Sequence, residues 1–147
     1  MESIGTGTES RTSERTPLAS ENVAVVQSLY EAYARGDLET IFSLLDPEIE
    51  VYQSSRLPWG GTYKGLEGFG AFIGKLTEHI ESRVTTERFI DDQEGHVVNV
   101  GYTRGRALAT GKEFDVPEAH VWTLKDGKLV RYESYIDTWR MREVLGL

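Results

Sequence analysis

Ser20–Pro47 reads SENVAVVQSLYEAYARGDLETIFSLLDP. Val23, Val26, Leu29, Tyr30 and Tyr33 recur at intervals of three and four, the spacing of one buried helix face. Ser20 suits the N-cap, because its hydroxyl can accept from an N–H that the first turn leaves free. Gly36 suits the position just past the helix end, where the chain turns left-handed. Asp37 can cap a second helix at once, and Leu38, Ile41, Phe42 and Leu45 form its apolar stripe. Asp46-Pro47 ends it, since proline cannot continue a helix and restricts the residue before it.

Downstream, Ile49–Gln53 reads as a strand. The stretch SSRLPWGGTYKG, residues 54–65, reads as a long Gly/Pro loop carrying Trp59 and Tyr63. A third helix over about Leu66–Ile80 buries Leu66, Phe69, Phe72, Ile73 and Leu76. Its Gly68, Gly70 and Gly74 each cost about 1 kcal/mol against Ala, so that helix depends on tertiary packing. The remainder is β: Val84–Ile90, His96 to about Leu108 with bend positions at Gly101 and Gly105, Phe114–Leu124 and Leu129–Asp137. The last two runs flank Lys125-Asp126-Gly127-Lys128, whose Asp-Gly step favours a tight hairpin. The expected order is α-α-β-α-β-β-β-β, an α+β fold with helices on one sheet face. Residues 1–19 are polar and Gly-rich with almost nothing to bury, and read as a disordered tail ahead of a domain at 20–147.

Composition narrows the function classes. A chain of 147 residues with 39% hydrophobic residues makes one domain with a sizeable core. A net charge of −8 leaves no basic stripe for phosphates and argues against nucleic acid and anionic membrane surfaces as partners. There is no cysteine, which excludes disulfides and thiolate chemistry. No apolar run approaches the roughly 18 residues of a membrane span. The N-terminal stretch lacks the apolar centre of a secretory signal, so a cytoplasmic protein is expected. His79, His96 and His120 have no metal-ligand spacing, the Gly-rich stretches lack a phosphate-loop Gly-Lys-Ser/Thr, and no serine-hydrolase elbow is present. No cofactor or metal is expected.

Side chains two apart on a strand share a face. Glu118, His120 and Trp122 therefore point one way, as do Glu133, Tyr135 and Asp137. A hairpin that gathers these groups on one surface suits a small-molecule pocket. On that reading Val121, Thr123, Val130 and Tyr132 form the opposite, outer face.

The Gly36-Asp37-Leu38 step between two helices, with Asp46-Pro47 after the second, resembles the nuclear transport factor 2-like superfamily. His120-Val-Trp-Thr, Asp126-Gly-Lys, Tyr135-Ile-Asp137 and Arg142-Glu-Val-Leu-Gly146 resemble its SnoaL-like branch. The resemblance spans Ser20–Leu147. It implies a cone of strongly curved mixed sheet with three helices in its hollow, a deep and mainly apolar pocket between them, and a homodimer paired through the outer sheet face. The fold hosts isomerases, cyclases, hydrolases, dehydratases and non-catalytic binders.

Asp137 resembles the acid that ends the last strand in SnoaL-like cyclases, where it serves as general acid/base. Inside an apolar cone its pKa would rise, suiting proton abstraction beside a carbonyl. The plainer alternative is an exposed carboxylate or one paired to Arg140 or Arg131. The resemblance to ketosteroid isomerases puts His120 where those enzymes carry a protonated Asp that donates to an oxyanion, a worked case in general enzymology. The plainer alternative is a core histidine satisfied by a backbone carbonyl. The same comparison puts Gln53 at the position of the isomerase base and Leu29 at that of its phenol donor. Neither does that chemistry, which argues against steroid isomerisation by that route, although Gln53 can still orient a ligand or water. Trp59, Tyr63, Tyr102, Trp122 and Tyr135 are candidate pocket walls. The expected ligand is a small, apolar organic molecule, and the expected function is a cofactor-free isomerase or cyclase using Asp137 and His120. The alternatives are a non-catalytic ligand-binding or dimerisation module, and an epoxide hydrolase or dehydratase, to which Asp137 and Arg106 would contribute.

Overall fold

The computed structural model describes residues 17–147. Most of the stretch read as a tail thus lies outside the described residues. Helix α1 spans Pro17–Ala34, starting three residues before the expected cap. Proline suits a first turn because its missing N–H would lack a helical partner anyway. Gly36 turns the chain at φ 71°. Asp37 then caps α2 (Leu38–Leu44), accepting from Thr40 N at 3.1 Å and from the Thr40 hydroxyl at 2.6 Å. The Thr40 hydrogen bonds hold the Asp37 carboxyl below its usual pKa.

The strands are β1 (Leu45–Gln53), β2 (Gly61–Lys64), β3 (Ile80–Asp91), β4 (His96–Ala107), β5 (Glu113–Lys125) and β6 (Lys128–Ile136). Helix α3 (Gly65–His79) separates β2 from β3, and α4 (Thr138–Leu145) follows β6. The fold is α+β as expected, with two additions to the expected order. Strand β2 lies inside the stretch read as loop. It pairs Tyr63 with Val51 at the sheet edge, and four residues are too few for a periodic signal. Helix α4 replaces the expected short Leu-Gly tail, ending at Gly146 with φ 80°. Strand β1 also runs through Pro47. The ladder to β6 slips between Leu45 and Glu50, where a missing N–H is tolerated.

One mixed six-stranded sheet runs β2-β1-β6-β5-β4-β3. Only β1 and β6 pair in parallel. Helix α1 packs against β3 and β4, and α3 against β1 and β2, so the helices fill the hollow of the curved sheet. The curvature needs close strand backbones. A Cβ on Gly101 would sit 2.0 Å from the Thr85 carbonyl oxygen, and one on Gly105 would sit 1.8 Å from that of Glu81. Only glycine permits this approach. Ile49, Phe69, Phe72, Trp122 and Met141 are among the buried side chains that join the two layers.

The C-terminal hairpin turns at Asp126 (φ 52°) and Gly127 (φ 78°) and pairs Lys125 with Lys128. A regular ladder from that turn would set His120 opposite Glu133. The ladder instead slips between Thr123 and Leu124, leaving Val130 as an extra residue on β6. His120 therefore faces Ser134, Trp122 faces Tyr132 and Glu118 faces Ile136. A one-residue slip exchanges the faces of a strand. Tyr132, expected outside, is buried inside. Glu133 and Tyr135, expected inside, lie outside.

Candidate functional site

A cavity of about 70 Å³ lies between α1, α3 and the concave sheet face. By the measure of one probe sphere per water, that holds roughly five waters or one compact organic group. Its wall is mainly apolar, with Leu29 and Tyr30 from α1, Phe72 and Leu76 from α3, Trp59 from the β1–β2 loop and Met141 from α4. The helix contributions follow from the three- and four-residue spacing that buries one face. Among the described lining residues there is no Asp, Glu, Lys or Arg.

The sheet supplies the polar floor. Gln53 on β1 is level with Ser134 on β6, Ser134 with His120 on β5, and His120 with Asn99 on β4. All four are buried. Register thus lays a polar row across the hollow, and Gln53, Ser134 and His120 border the cavity.

A hydrogen-bonded chain crosses this row. Trp122 Nε1–H donates to Tyr30 Oη at 2.9 Å, and Tyr30 Oη lies 2.8 Å from His120 Nδ1. His120 Nε2 is 3.0 Å from Glu118 Oε2, and Asn99 Nδ2–H donates to Glu118 Oε1 at 3.1 Å. Glu118 Oε2 has no hydrogen-bond partner, so its approach to His120 Nε2 is a close contact and not an aligned hydrogen bond. Trp122 stacks on Tyr132 with ring centroids 4.2 Å apart, fixing the indole. Burial pushes the Glu118 carboxyl up to about 8 and the His120 imidazole down to about 3. It also raises the Tyr30 phenol well above its ordinary value. All three shifts favour uncharged groups. If neutral Glu118 turns its proton to His120 Nε2, the imidazole carries its own hydrogen on Nδ1, toward Tyr30. Tyr30 Oη then accepts from both Trp122 and His120, which leaves its own O–H free to donate.

Beside the open acceptors Asn99 Oδ1 and Glu118 Oε2, Gln53 holds an open donor at the cavity end of the row. It is 2% exposed, and its Nε2 has no hydrogen-bond partner. An unsatisfied buried donor of this kind costs about 1–3 kcal/mol.

Of the residues singled out in the sequence, His120, Gln53, Trp59 and Trp122 border the cavity. Asp137, Tyr135, Tyr102, Tyr63 and Arg106 do not, and Asp137 is the largest correction. It is exposed, lies at the N-cap of α4 and accepts from Arg140 N at 3.1 Å. The chain leaves the sheet at Ile136, so Asp137 ends no inward-facing row, and His120 and Asp137 share no cavity. Tyr135 is 48% exposed on the outer face, beside Tyr52, and its hydroxyl donates to Glu133 at 2.7 Å. Tyr102 also lies on the outer face, under the Arg104 guanidinium. Tyr63 packs on Phe72 behind the wall and donates to the Trp59 and Gly60 carbonyls, which fastens the Trp59 loop. Arg106, considered for an epoxide hydrolase, pairs with Glu81 at the surface at 3.0 Å.

The sequence reading missed Tyr30 as a site residue, though it placed Tyr30 on the buried helix stripe. Glu118 was placed on the face of His120 but not joined to it. Ser134 and Tyr132 were hidden by the β6 slip, which leaves no local sequence signal. Among the described residues no cluster of three or more His, Cys, Asp or Glu is arranged to hold a metal ion.

Comparison with known proteins agrees with this fold. The chain is 29% identical to an NTF2-like protein of unknown function from Burkholderia pseudomallei, with a TM-score of 0.81 over 86% of this chain and 98% of that one. It is 26% identical to TerC, crystallized with polyporic acid, with a TM-score of 0.79 over 86% of this chain and 99% of that one. An uncharacterized protein of Mycobacterium tuberculosis is 26% identical over 113 residues, 76% of this chain and 85% of that protein. The family model described as "SnoaL-like domain" matches residues 26–132, so the chain belongs to the SnoaL-like family of the nuclear transport factor 2-like superfamily.

Proposed function

We propose that this protein binds a compact, largely apolar organic molecule in the cavity and acts on it by cofactor-free proton transfer, as an isomerase or cyclase. The observation that carries the reading is the buried Trp122–Tyr30–His120–Glu118 chain, which ends at a cavity without charged lining residues. Tyr30, with two donors behind it, presents its O–H to a ligand oxygen and stabilises charge developing there. His120 and Glu118 replenish or withdraw that proton through the imidazole. This assigns to Tyr30 and Glu118 the part that the sequence reading gave to Asp137. The likeness to TerC, crystallized with polyporic acid, supports an organic ligand.

The test is turnover of a panel of enolisable ketones. Tyr30→Phe keeps the ring and removes the proton. It should lower turnover by about 10²–10³-fold, the scale for losing one oxyanion donor, while binding changes little. A second reading, ligand binding without chemistry, is favoured by His120, whose two ring nitrogens both already face protein groups. On that reading no ketone turns over, and a neutral ketone such as acetophenone still quenches the emission of Trp59 and Trp122.

We also propose a homodimer paired through the outer sheet face. Val98 faces Val121 there, beside Ile90, which is 45% exposed. Apolar surface of this kind is unfavourable in a monomer. Sedimentation showing only monomer at micromolar concentration would count against it.

A further inference from the structure

We infer that Gln53 selects the ligand by its charge and hydrogen-bonding type: a neutral molecule with an uncharged acceptor, such as a ketone, ester or lactone, and not a carboxylate or phosphate. The inference rests on the cavity being the ligand site. Three observations carry it. Gln53 Nε2 is buried at the cavity wall with no partner, so a donor waits for an acceptor that the protein does not supply. Its neighbours across the floor, Ser134 and His120, are uncharged groups, and among the described lining residues none is a cation that could neutralise an anion. Asn99, at the far end of the row, already donates from its amide nitrogen to Glu118 and is left with an open acceptor, Oδ1, so of the two amides in the row Gln53 is the one whose donor nitrogen has no partner.

The physical argument concerns desolvation. An anion entering this cavity loses its water and meets no countercharge, which is prohibitive. A neutral carbonyl loses less and regains one hydrogen bond from Gln53. A hydrocarbon of the same shape leaves the Gln53 donor unsatisfied and gains only contact.

Three probes of nearly one shape separate these cases: acetophenone, its hydrocarbon isostere α-methylstyrene, and benzoate. Binding is followed by calorimetry on the full chain. Acetophenone should bind roughly 3- to 10-fold more tightly than α-methylstyrene, the range for one net hydrogen bond. Benzoate should bind more weakly than either. Gln53→Leu should shrink the ketone preference by a similar factor and leave α-methylstyrene binding equal or tighter. A spectroscopic readout needs no functioning variant: the Gln53 side-chain amide resonance of the unaltered protein should shift with acetophenone and stay with α-methylstyrene. If both hydrophobic probes bind equally and that resonance does not move, the assignment to Gln53 is wrong while the cavity reading stands. If benzoate binds best, the neutral-ligand inference is overturned. If no probe binds at any accessible concentration, the cavity reading fails, and this inference with it.

Discussion

Strands β5 and β6 form one hairpin, yet they behaved oppositely under the same alternation rule. On β5 the rule held, and Glu118, His120 and Trp122 all face inward. On β6 the rule held locally but its phase was reversed, so Tyr132, Ser134 and Ile136 line the cavity. The cause is one extra residue, Val130, at the slip of the ladder. Alternation says which residues share a face; it does not say which face. The core settles that choice, because burying Tyr132 against Trp122 gains apolar contact that burying Glu133 and Arg131 would forfeit. Outside, Arg131 instead bridges Glu133 at 3.0 Å and Glu50 at 2.8 Å in contact with water.

The largest effect expected from this contrast is on stability. Tyr132→Ala opens a cavity beside Trp122 and should cost about 3–5 kcal/mol. Tyr135→Ala, on the other face of the same strand, should stay within about 0.5 kcal/mol in the monomer. Urea unfolding of both variants decides it, and a reversed order would mean that β6 has the phase of a regular ladder.

An intermediate effect should appear in the pH dependence, through the β5 pair. The folded-state pKa of Glu118 is raised from 4.5 to about 8. Between those values the folded chain keeps a proton that the unfolded chain releases, so stability falls as pH rises. His120 is lowered from 6.5 to about 3, where the unfolded chain holds the extra proton and stability rises with pH. From pH 4.5 to 6.5 the two slopes cancel. Stability should then fall from pH 6.5 to 8 by about 1.4 kcal/mol per pH unit, and fall again as pH drops from 4.5 towards 3. Glu118→Gln should flatten the alkaline limb and extend the acid limb up to about pH 6.5, because nothing then cancels the His120 slope. An unchanged alkaline limb would show that Glu118 is not the group responsible.

The smallest effect is expected where β6 ends. Asp137→Ala removes the cap of α4 and should cost about 1 kcal/mol. It should not alter ligand binding, because Asp137 does not border the cavity. A thermal melt alongside an acetophenone titration checks both halves. A large loss of binding with little loss of stability would return Asp137 to the site.

Much was legible in order of strength of local signal. The break at Gly36-Asp37 and the Asp126-Gly127 turn are short-range effects of backbone sterics and capping, and each lies where its residues indicated. The inward face of β5 was legible because its buried aromatic and its titratable groups lie in phase. Strand β2 was not, since four residues have no period and pair only because β1 offers an edge.

The sequence by itself determined the types of most elements, the α+β class, the family resemblance and the fact that His120 and Trp122 share a face, because these depend on neighbours a few residues apart. Tertiary structure alone decided that Val130 is extra, that Tyr132 rather than Tyr135 faces the cavity, that Asp137 caps a helix outside it, and that Tyr30 meets His120 across 90 positions of chain. Those outcomes turn on strand register and on burial of one face against a distant helix, and no local pattern encodes which of two registers leaves the larger apolar area out of water.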